Sequence, residues 1–340
     1  MNLIDTIISK VDADSPDDST INSAAAIIRE GGLVAFPTET VYGLGADAAN
    51  ERAVQRIFEA KSRPLDNPVI VHVSSRDMLS RVVVSVTPAA RRLISTFWPG
   101  PLTIVLERSA GVAPAVSAGL PTVAVRMPAN TVALELIRAA DTPIAAPSAN
   151  ASGRPSPTRA EHVARDLTGR IDMILDAGAT HIGIESTVLD LSGDTPSILR
   201  PGWITREMIA GVIGPVTTAL TGETLSRSPG TRHRHYTPLA RVVLIEANAA
   251  ISVQDTCRNY LEEGSVGFIG HTRLGLDERD IHSLILADDA EEYARAIYAA
   301  MRDLDEKRTA VIVIEGISEA GGGAAVMDRL RRAATEIIKA

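Results

Sequence analysis

The side chains that could do chemistry in this chain are cations and hydroxyl groups that stand where short apolar stretches end. Leu33–Phe36 is an apolar run that predicts a buried strand, and Pro37 ends it because proline has no N–H for the strand ladder. Hydroxyl groups follow at once, and later apolar runs end in the same way. The candidate cations are Lys61, Arg63, Arg126 and Arg200, and the candidate hydroxyl groups are those of Thr38, Thr40, Ser148, Ser156, Ser186 and Thr187.

Arg126 lies in the middle of an apolar run, Thr122–Met127, that predicts a strand. A guanidinium group in a buried strand needs an anionic partner, because an unpaired buried charge is strongly unfavourable. That partner could be a carboxylate of the protein, such as Glu185, or the carboxylate or phosphate of a ligand. His72 poses a similar choice on the apolar strand Val69–Val73, where it is either a core histidine or a ligand-binding residue.

The motifs of common nucleophilic and metal-dependent enzymes are absent from the sequence. There is no GxSxG, no HExxH and no P-loop, and a single cysteine, Cys257, excludes an internal disulfide and a CxxC zinc site. Cations and hydroxyl groups without a nucleophile describe a site that binds polyanions. Such a site would catalyse by positioning and charge neutralisation, as phosphoryl and nucleotidyl transfer require.

Alternating strand and helix patterns place these side chains in an α/β fold. We expect helix N-caps at Ser19 or Thr20, at Asn50 and at Thr87. After residue 240 a second alternation runs from a strand at 241–246 to a helix at 324–338. It predicts a smaller, Rossmann-like parallel α/β domain.

The 340 residues suggest two domains. We expect a first domain at 1–213, a linker at 214–240 and an accessory domain at 241–340. The linker has no helical or strand period over most of its length, yet it ends in SPGTRHRHYTP, where charged and ring side chains including His233 and Tyr236 are concentrated. The segment is therefore either a basic linker or part of a site.

Charge is unevenly distributed along the chain. Residues 241–340 contain 12 Lys and Arg against 18 Asp and Glu, a net charge of −6 out of −8 for the whole chain. The accessory domain alone is therefore a poor candidate for holding nucleic acid. Its segment VIVIEGISEAGGGAAVMDRLRRAA resembles an anion-binding helix N-terminus, but without a Walker lysine it can equally be a plain tight loop.

We expect no signal peptide in the first residues, since no apolar region follows a basic start. No apolar run approaches the ~18 residues that a membrane span needs. Together with the single cysteine, this pattern leads us to expect a cytoplasmic protein without membrane contact.

Eight motifs occur in an order that resembles a known family. They are PTETVYGLG, KSRPLDNPVIVHV, FWPGPLT, TVAVRMP, PSANASGRPSPT, ESTVLD, ILRPG and SPGTRHRHYTP. Together they are similar to the threonylcarbamoyl-AMP synthases of the YrdC superfamily, and the tail beyond the last motif indicates the long, two-domain form. The resemblance is dense from about residue 20 to residue 240 and looser beyond.

The resemblance implies a fold and a reaction. The fold would be a twisted mixed α/β sheet around a large positive cavity, followed by the smaller domain. The reaction would convert L-threonine, bicarbonate or CO2 and ATP into threonylcarbamoyl-AMP and pyrophosphate, for threonylcarbamoyladenosine modification of tRNA. A downstream tRNA threonylcarbamoyl transferase complex would receive the product, with a possible weak tRNA contact. Mg²⁺ is expected with ATP, without a dedicated metal site in the protein.

The resemblance also implies roles for individual residues. Those expected at L-threonine are Thr40, His72, Arg126, Ala146 and Ser186, with Thr38 beside them. Those expected at ATP are Arg63, Asn67, Thr122, Ser148, Ser156, Arg200 and Tyr236. Lys61 and Arg63 are expected to be catalytic, and residues 228–238 to form a lid that shields the labile product from water.

Two other functions remain open from the sequence. A non-catalytic module that binds double-stranded RNA or tRNA could use the same positive cavity, although the net charge of −8 disfavours it. A carbamoyl transferase of hydrogenase maturation would share the superfamily fold, but that family carries zinc-finger cysteines.

Overall fold

The computed structural model describes residues 4–219, 236–275 and 281–339. The chain forms two compact units, which we call the front unit and the back unit. The front unit comprises Met1–Ser152, Ser156–His181 and Glu185–His233, and the back unit comprises Gly153–Pro155, Ile182–Ile184 and Arg234–Ala340. The back unit thus includes two three-residue segments that lie far earlier in the sequence than the rest of it.

The front unit alternates strands with helices, as the sequence predicts. Its strands are β1 (Ile7–Lys10), β2 (Val34–Phe36), β3 (Gly43–Asp47), β4 (Ile70–His72), β5 (Leu102–Glu107), β6 (Thr122–Arg126), β7 (Ile144–Ala145), β8 (Met173–Asp176), β9 (Thr187–Asp190), β10 (Ser197–Arg200) and β11 (Thr217–Thr218). Its helices are α1 (Asp18–Arg29), α2 (Glu51–Lys61), α3 (Arg76–Val82), α4 (Pro88–Phe97), α5 (Thr131–Ala140), α6 (Ala160–Leu167) and α7 (Arg206–Ile213).

Among the described residues these strands form one mixed sheet of eleven strands, in the order β1-β8-β2-β3-β7-β4-β6-β5-β9-β10-β11. Parallel pairs such as β4 with β6 and β5 with β9 alternate with antiparallel pairs such as β5 with β6. The prediction of a twisted mixed α/β sheet is confirmed. Most neighbouring strands are distant in sequence, so the sheet brings together motifs from both ends of the front unit.

The two faces of the central strands have different surroundings. One face belongs to the main hydrophobic core, through residues such as Val71, Ile104, Val125 and Leu189. The other face carries a smaller buried cluster of Ile70, Val105, Ala124, Val188 and Leu199. Successive side chains of a strand point to opposite faces, so His72, Thr103 and Arg126 lie on the face of the smaller cluster.

The helix starts follow local capping chemistry. The predicted N-caps Asn50 and Thr87 are confirmed, because their side chains accept hydrogen bonds from Ala53 N and Ala90 N. The prediction for α1 was wrong. Its N-cap is Asp17, whose carboxylate accepts from Thr20 N at 2.8 Å, since aspartate is as good a cap as serine.

Three strands of the front unit, β1, β3 and β11, occur where the sequence predicts none. β3 pairs in antiparallel fashion with β2 and β7. β1 lies in the expected acidic lead-in and pairs in parallel with β8, and Ile7 and Ile8 on it are 53% and 52% exposed. An edge strand that is exposed on both faces shows no alternation, so its sequence carries no strand signal. β11 lies in the predicted linker and pairs with β10 through only two residues.

The back unit is a second α/β fold. It contains β12 (Arg241–Ile245), α8 (Val253–Tyr260), β13 (Val266–Gly270), β14 (Ile281–Ile285), α9 (Ala290–Glu306), β15 (Val311–Glu315), α10 (Gly323–Ala333) and β16 (Glu336–Ile338). Its described strands pair in parallel in the order β14-β13-β15-β12-β16, which confirms the prediction of a parallel sheet.

The predicted helix at 324–338 is too long. The helix α10 ends at Ala333, and Glu336–Ile338 forms the edge strand β16 beside β12. Thr335 fixes this change of direction by donating from its hydroxyl group to Val242 O at 2.7 Å. The β-branched residues Ile337 and Ile338 also favour a strand.

Candidate active site

Arg126 is held at the end of β6 by contacts from two other segments. Its Nη1 donates to Thr40 Oγ1 at 3.0 Å, and its Nε donates to the backbone oxygen of Gly100 at 3.1 Å. The hydroxyl group of Thr40 is in turn hydrogen-bonded to that of Thr38 at 2.8 Å. Thr38 also closes the turn after β2 by donating to Val41 O. The structure therefore brings the predicted residues Thr38, Thr40 and Arg126 into one buried group.

The carboxylate partner of Arg126 is Glu39, with 2.6 Å between Nη2 and Oε1. The suggestion that Glu185 serves as this partner was wrong, because Glu185 accepts a hydrogen bond from Ser156 Oγ at 2.5 Å. Glu39 stands between two predicted residues in the PTET segment, and it was missed because an acidic side chain there suggests a solvated loop. The sequence feature that could have identified Glu39 is its position two residues after Pro37, which ends the strand β2.

His72 is the register partner of Arg126 on the neighbouring parallel strand β4. It is 4% exposed, and its ring meets that of Phe36 edge-on at 6.1 Å between centroids. Burial, and then the nearby charge of Arg126, lower the pKa of His72 to about 3, so the imidazole is neutral at physiological pH. Its Nδ1 has no hydrogen-bond partner among the described residues.

Ser186 and Arg200 form a second group on the other side of β5. The hydroxyl groups of Ser186 and Thr103 are hydrogen-bonded at 2.8 Å, and Arg200 Nη2 donates to the backbone oxygen of Ser186 at 3.0 Å. Thr103 directly precedes Ile104, which pairs with Val125 beside Arg126. β5 therefore connects the two groups across the sheet.

Thr187, another candidate from the sequence, has a structural contact. Its hydroxyl group donates to the backbone oxygen of Ile204 at 2.6 Å, which ties β9 to the segment after β10. Gly202 lies against the same place, because a Cβ there would be 2.2 Å from Thr187 N. The glycine of the ILRPG motif is thus required for close packing of two backbones.

Lys61 is the last residue of α2 and is 1% exposed. Its Nζ donates to the backbone oxygens of Ser148 and Asn150, and Ser148 Oγ donates to Asn150 Oδ1 at 2.6 Å. The ammonium group therefore holds the loop after β7 in place. Asn150 was not among the predicted site residues.

Arg63 follows in the same motif, and its side chain donates to backbone oxygens of that motif. Its Nε donates to Asn67 O at 3.2 Å and its Nη2 to Pro68 O at 2.9 Å. Asn67 is fully buried, and Thr122, at the start of β6, is 9% exposed. Arg63 and Asn67 are thereby placed together, while Thr122 lies four positions before Arg126 on the same strand face.

Ala146 follows β7 and is fixed by its backbone, which donates to Ile70 O at 2.8 Å. Its methyl group faces Gly43, because a Cβ at Gly43 would lie 3.4 Å from Ala146 Cβ. A small residue at each position allows these two segments to approach closely.

Tyr236 lies in the back unit. It is 5% exposed, has a φ of 67°, and stacks on Tyr298 with 5.3 Å between ring centroids. The predicted lid at 228–238 and His233 fall largely outside the described residues. The predictions of a lid and of a contact between Tyr236 and ATP therefore stay predictions.

The glycine-rich loop before α10 borders a crevice at the carboxyl ends of β12 and β15. Four carboxylates line the crevice, those of Glu246, Asp288, Glu315 and Glu319. This negative lining argues for the plain-loop interpretation rather than an anion site. Cys257 is fully buried nearby in the back unit, and burial together with Glu315 raises the pKa of its thiol to about 12.

Comparisons with known proteins identify relatives of both units. A family model of the Sua5, YciO and YrdC proteins, described as telomere recombination, matches residues 26–202. A second, described as threonylcarbamoyl-AMP synthase, C-terminal domain, matches residues 204–335.

Relatives match nearly the whole chain. The threonylcarbamoyl-AMP synthase of Pyrococcus abyssi is 48% identical over 321 residues, which cover 92% of this chain and 93% of that protein. The synthase of Bacillus subtilis is 45% identical over 327 residues, 94% of each chain. The crystal structure of P. abyssi Sua5 complexed with L-threonine matches with a TM-score of 0.93 at 45% identity, covering 98% of this chain and 100% of that one.

Proposed function

This chain belongs to the threonylcarbamoyl-AMP synthases of the Sua5, YciO and YrdC family, and from that premise we propose how its residues share the reaction. The enzyme makes L-threonylcarbamoyladenylate from L-threonine, bicarbonate or CO2 and ATP, and releases pyrophosphate, for threonylcarbamoyladenosine modification of tRNA. It is a nucleotidyltransferase. No helix within the described ranges is long and apolar enough to cross a membrane.

The observation that carries our residue assignment is the buried polar group on one face of the sheet. In our proposal the guanidinium group of Arg126 binds the carboxylate of threonine, because a planar cation held by Thr40 and Gly100 is already oriented for a carboxylate. Neutral His72 and the hydroxyl groups of Thr38, Thr40 and Ser186 supply hydrogen bonds, and Ala146 supplies an apolar contact for the methyl group.

ATP binds, in this proposal, through Arg63, Asn67, Thr122, Ser148, Ser156 and Arg200. The neutral amine of threonine adds to CO2 and loses a proton, which gives a carbamate. Attack of the carbamate oxygen on the α-phosphate then expels pyrophosphate, so negative charge develops on the phosphate oxygens. Arg63 neutralises this charge, as cations do in phosphoryl transfer generally. Lys61 contributes by fixing the Ser148–Asn150 loop, since its Nζ donates to that backbone.

We further propose that Mg²⁺ arrives bound to the phosphates of ATP. Within the described residues no group of three or more His, Cys, Asp or Glu side chains could hold a metal ion. Magnesium commonly binds through substrate phosphates with only one or two protein carboxylates. Pyrophosphate release measured over a series of Mg²⁺ concentrations should then follow the concentration of the Mg–ATP complex.

The product is a reactive mixed anhydride, so we propose that it passes to a tRNA threonylcarbamoyl transferase complex in the cytoplasm. A weak contact of the enzyme with tRNA would shorten that transfer. Dependence of product transfer on a direct enzyme–acceptor complex can be measured by mixing the two at increasing dilution. A weak contact is lost on dilution, so transfer should fall as the two are diluted, and transfer that is unaffected by dilution would contradict the contact.

The deciding experiment is pyrophosphate release from ATP with Mg²⁺ and bicarbonate, with and without L-threonine. We expect release that depends on threonine, and a new adenylate detected by mass spectrometry. Release that is indifferent to threonine would contradict the proposed function, and the salt dependence of RNA binding would then test the RNA-binding alternative.

A further inference from the structure

The ion pair of Glu39 and Arg126 is almost completely buried in the free protein. The two side chains are 7% and 3% exposed, and 2.6 Å separates Oε1 from Nη2. Removing two charges from water is costly unless further hydrogen bonds satisfy them. The other polar atoms of both side chains are therefore expected to have hydrogen-bond partners.

The remaining atoms of the pair are not satisfied within the described residues. Neither carboxylate oxygen of Glu39 accepts an aligned hydrogen bond, and Arg126 Nη2 donates none. The other guanidinium nitrogens differ, because Nε donates to Gly100 and Nη1 donates to Thr40. Buried polar groups without partners are rare in folded proteins, so donors for Glu39 and an acceptor for Arg126 are expected from a ligand.

L-Threonine, the substrate assigned to this site, carries both an acceptor for Arg126 and donors for Glu39. A free amino acid at neutral pH has a carboxylate, which suits Arg126, and an ammonium group with three N–H donors. Binding of the carboxylate alone would leave Glu39 sharing Arg126 with a second anion. The ammonium group is the one cation on threonine that could restore charge balance.

Other cations of the front unit are engaged elsewhere. Lys61 donates to the loop after β7, and Arg200 donates to Ser186. His72 is adjacent to Arg126 but neutral, because burial lowers its pKa to about 3. These residues therefore do not replace Arg126 as the counterion of Glu39.

We propose that Glu39 binds the ammonium group of L-threonine, as the anionic half of a charge pair whose cationic half, Arg126, binds the carboxylate. This inference rests on the proposed function of the site. It makes Glu39 a specificity-determining residue that selects free amino acids over hydroxy acids of the same shape. In the free enzyme the two halves neutralise each other.

The test compares L-threonine with (R)-3-hydroxybutyrate, which keeps the carboxylate, hydroxyl and methyl groups but lacks the ammonium group. Calorimetry gives Kd for both compounds with the wild-type enzyme and with Glu39→Gln. We expect the wild type to prefer threonine by at least about tenfold, the effect of one charge-assisted contact. In Glu39→Gln the preference should fall to about twofold or less.

The control variant is Glu185→Gln, which changes another buried glutamate of the front unit and should keep the wild-type preference. Glu39→Asp retains the negative charge and should keep most of the preference for threonine. An unchanged preference in folded Glu39→Gln would mean that Glu39 only supports Arg126, and it would overturn the inference. Should Glu39→Gln not fold, equal affinity of the wild type for the two compounds would overturn it as well. Failure of the wild type to bind threonine at all would instead overturn the proposed function.

Discussion

Arg200 donates to both the backbone oxygen and the hydroxyl group of Ser186, at 3.0 and 3.3 Å. Arg200 is a proposed ATP ligand and Ser186 a proposed threonine ligand. The two substrate sites therefore adjoin at this contact, which suits a reaction that joins the substrates. A shift of Ser186 on threonine binding would therefore also move the guanidinium group of Arg200.

Ser186→Ala removes the hydroxyl group that bonds to Thr103 and Arg200 and leaves the backbone oxygen in place. We expect KM for threonine to rise about tenfold, while KM for ATP changes less than about threefold. Steady-state kinetics measure both values. Ser156→Ala is the control and should show the opposite pattern, because Ser156 is assigned to ATP. Equal changes of both constants in Ser186→Ala would contradict the division of roles.

Lys61→Met keeps the length of the side chain but removes the donor to two buried backbone oxygens. The free energy of unfolding should fall by about 3 kcal/mol, because each unsatisfied acceptor costs roughly 1–3 kcal/mol. KM for ATP should rise as the Ser148 loop loosens. Denaturant titration and kinetics measure the two effects. The exposed Lys10→Met should alter neither; a stable Lys61→Met with normal KM would show that the loop needs no ammonium group.

His72 gives a pH dependence of stability with a definite sign. Burial holds its pKa near 3 in the folded protein, against 6.5 for an ordinary histidine, so below pH 6.5 the unfolded chain binds a proton that the folded one does not. Stability should therefore fall as pH decreases from 6.5 towards 3, by up to about 1.4 kcal/mol per pH unit from this residue.

The measurement for His72 is the difference between wild type and His72→Gln in urea titrations from pH 7 to pH 4.5. The glutamine variant should lack this part of the slope. Parallel pH curves for wild type and His72→Gln would mean that the buried imidazole titrates normally.

Gly202→Ala should destabilise the front unit through backbone contact alone. A Cβ at this position would lie 2.2 Å from Thr187 N and 2.6 Å from the carbonyl carbon of Ser186, so a strand must move. We expect a loss of about 3 kcal/mol and weaker binding of threonine. Gly193→Ala is the matched control, because no described heavy atom lies within 4 Å of its Cβ position. Similar melting temperatures for the two variants would refute the packing argument.

Ala146 should contribute to the choice of threonine over serine. One methyl contact is worth roughly 10- to 200-fold in specificity, so Ala146→Gly should reduce the ratio of kcat/KM for threonine to that for serine. Ala145→Gly changes the preceding alanine at the same backbone cost and should leave the ratio unaltered. A wild-type ratio near unity would exclude selection by the methyl group.

Much of the site could be predicted because its residues mark strand ends. Arg126 in an apolar strand signals a buried charge in need of an anion, and the sheet places it on the same face as His72. The identity of that anion could not be predicted, because Glu39, in the turn between β2 and β3, reaches Arg126 only through the strand order β2-β3-β7-β4-β6. Sequence patterns report which face a side chain takes, not which strand lies beside it.

The errors in the fold have local physical causes. β1 carries exposed isoleucines on an edge and thus shows no alternation. At the other end of the chain, α10 ends at Ala333, and the next residues form β16 because β12 offers them an edge and two of them are β-branched. Asp17 replaces the expected serine or threonine cap because four capping residues, at positions 17–20, follow one another and geometry selects among them.

The order of strands in the front sheet also determines when the site appears during folding. Thr6 bonds to Ile171, 165 positions along the chain, and β1 and β2 both pair with β8. Contacts between residues so far apart in sequence form late, because the chain must lose the entropy of closing a long loop before the contact can stabilise it. A nascent chain therefore has no binding site until nearly all of the front unit has been synthesised. From that moment threonine stabilises the completed sheet by mass action, so the cellular supply of the amino acid favours the folded state of the enzyme that uses it.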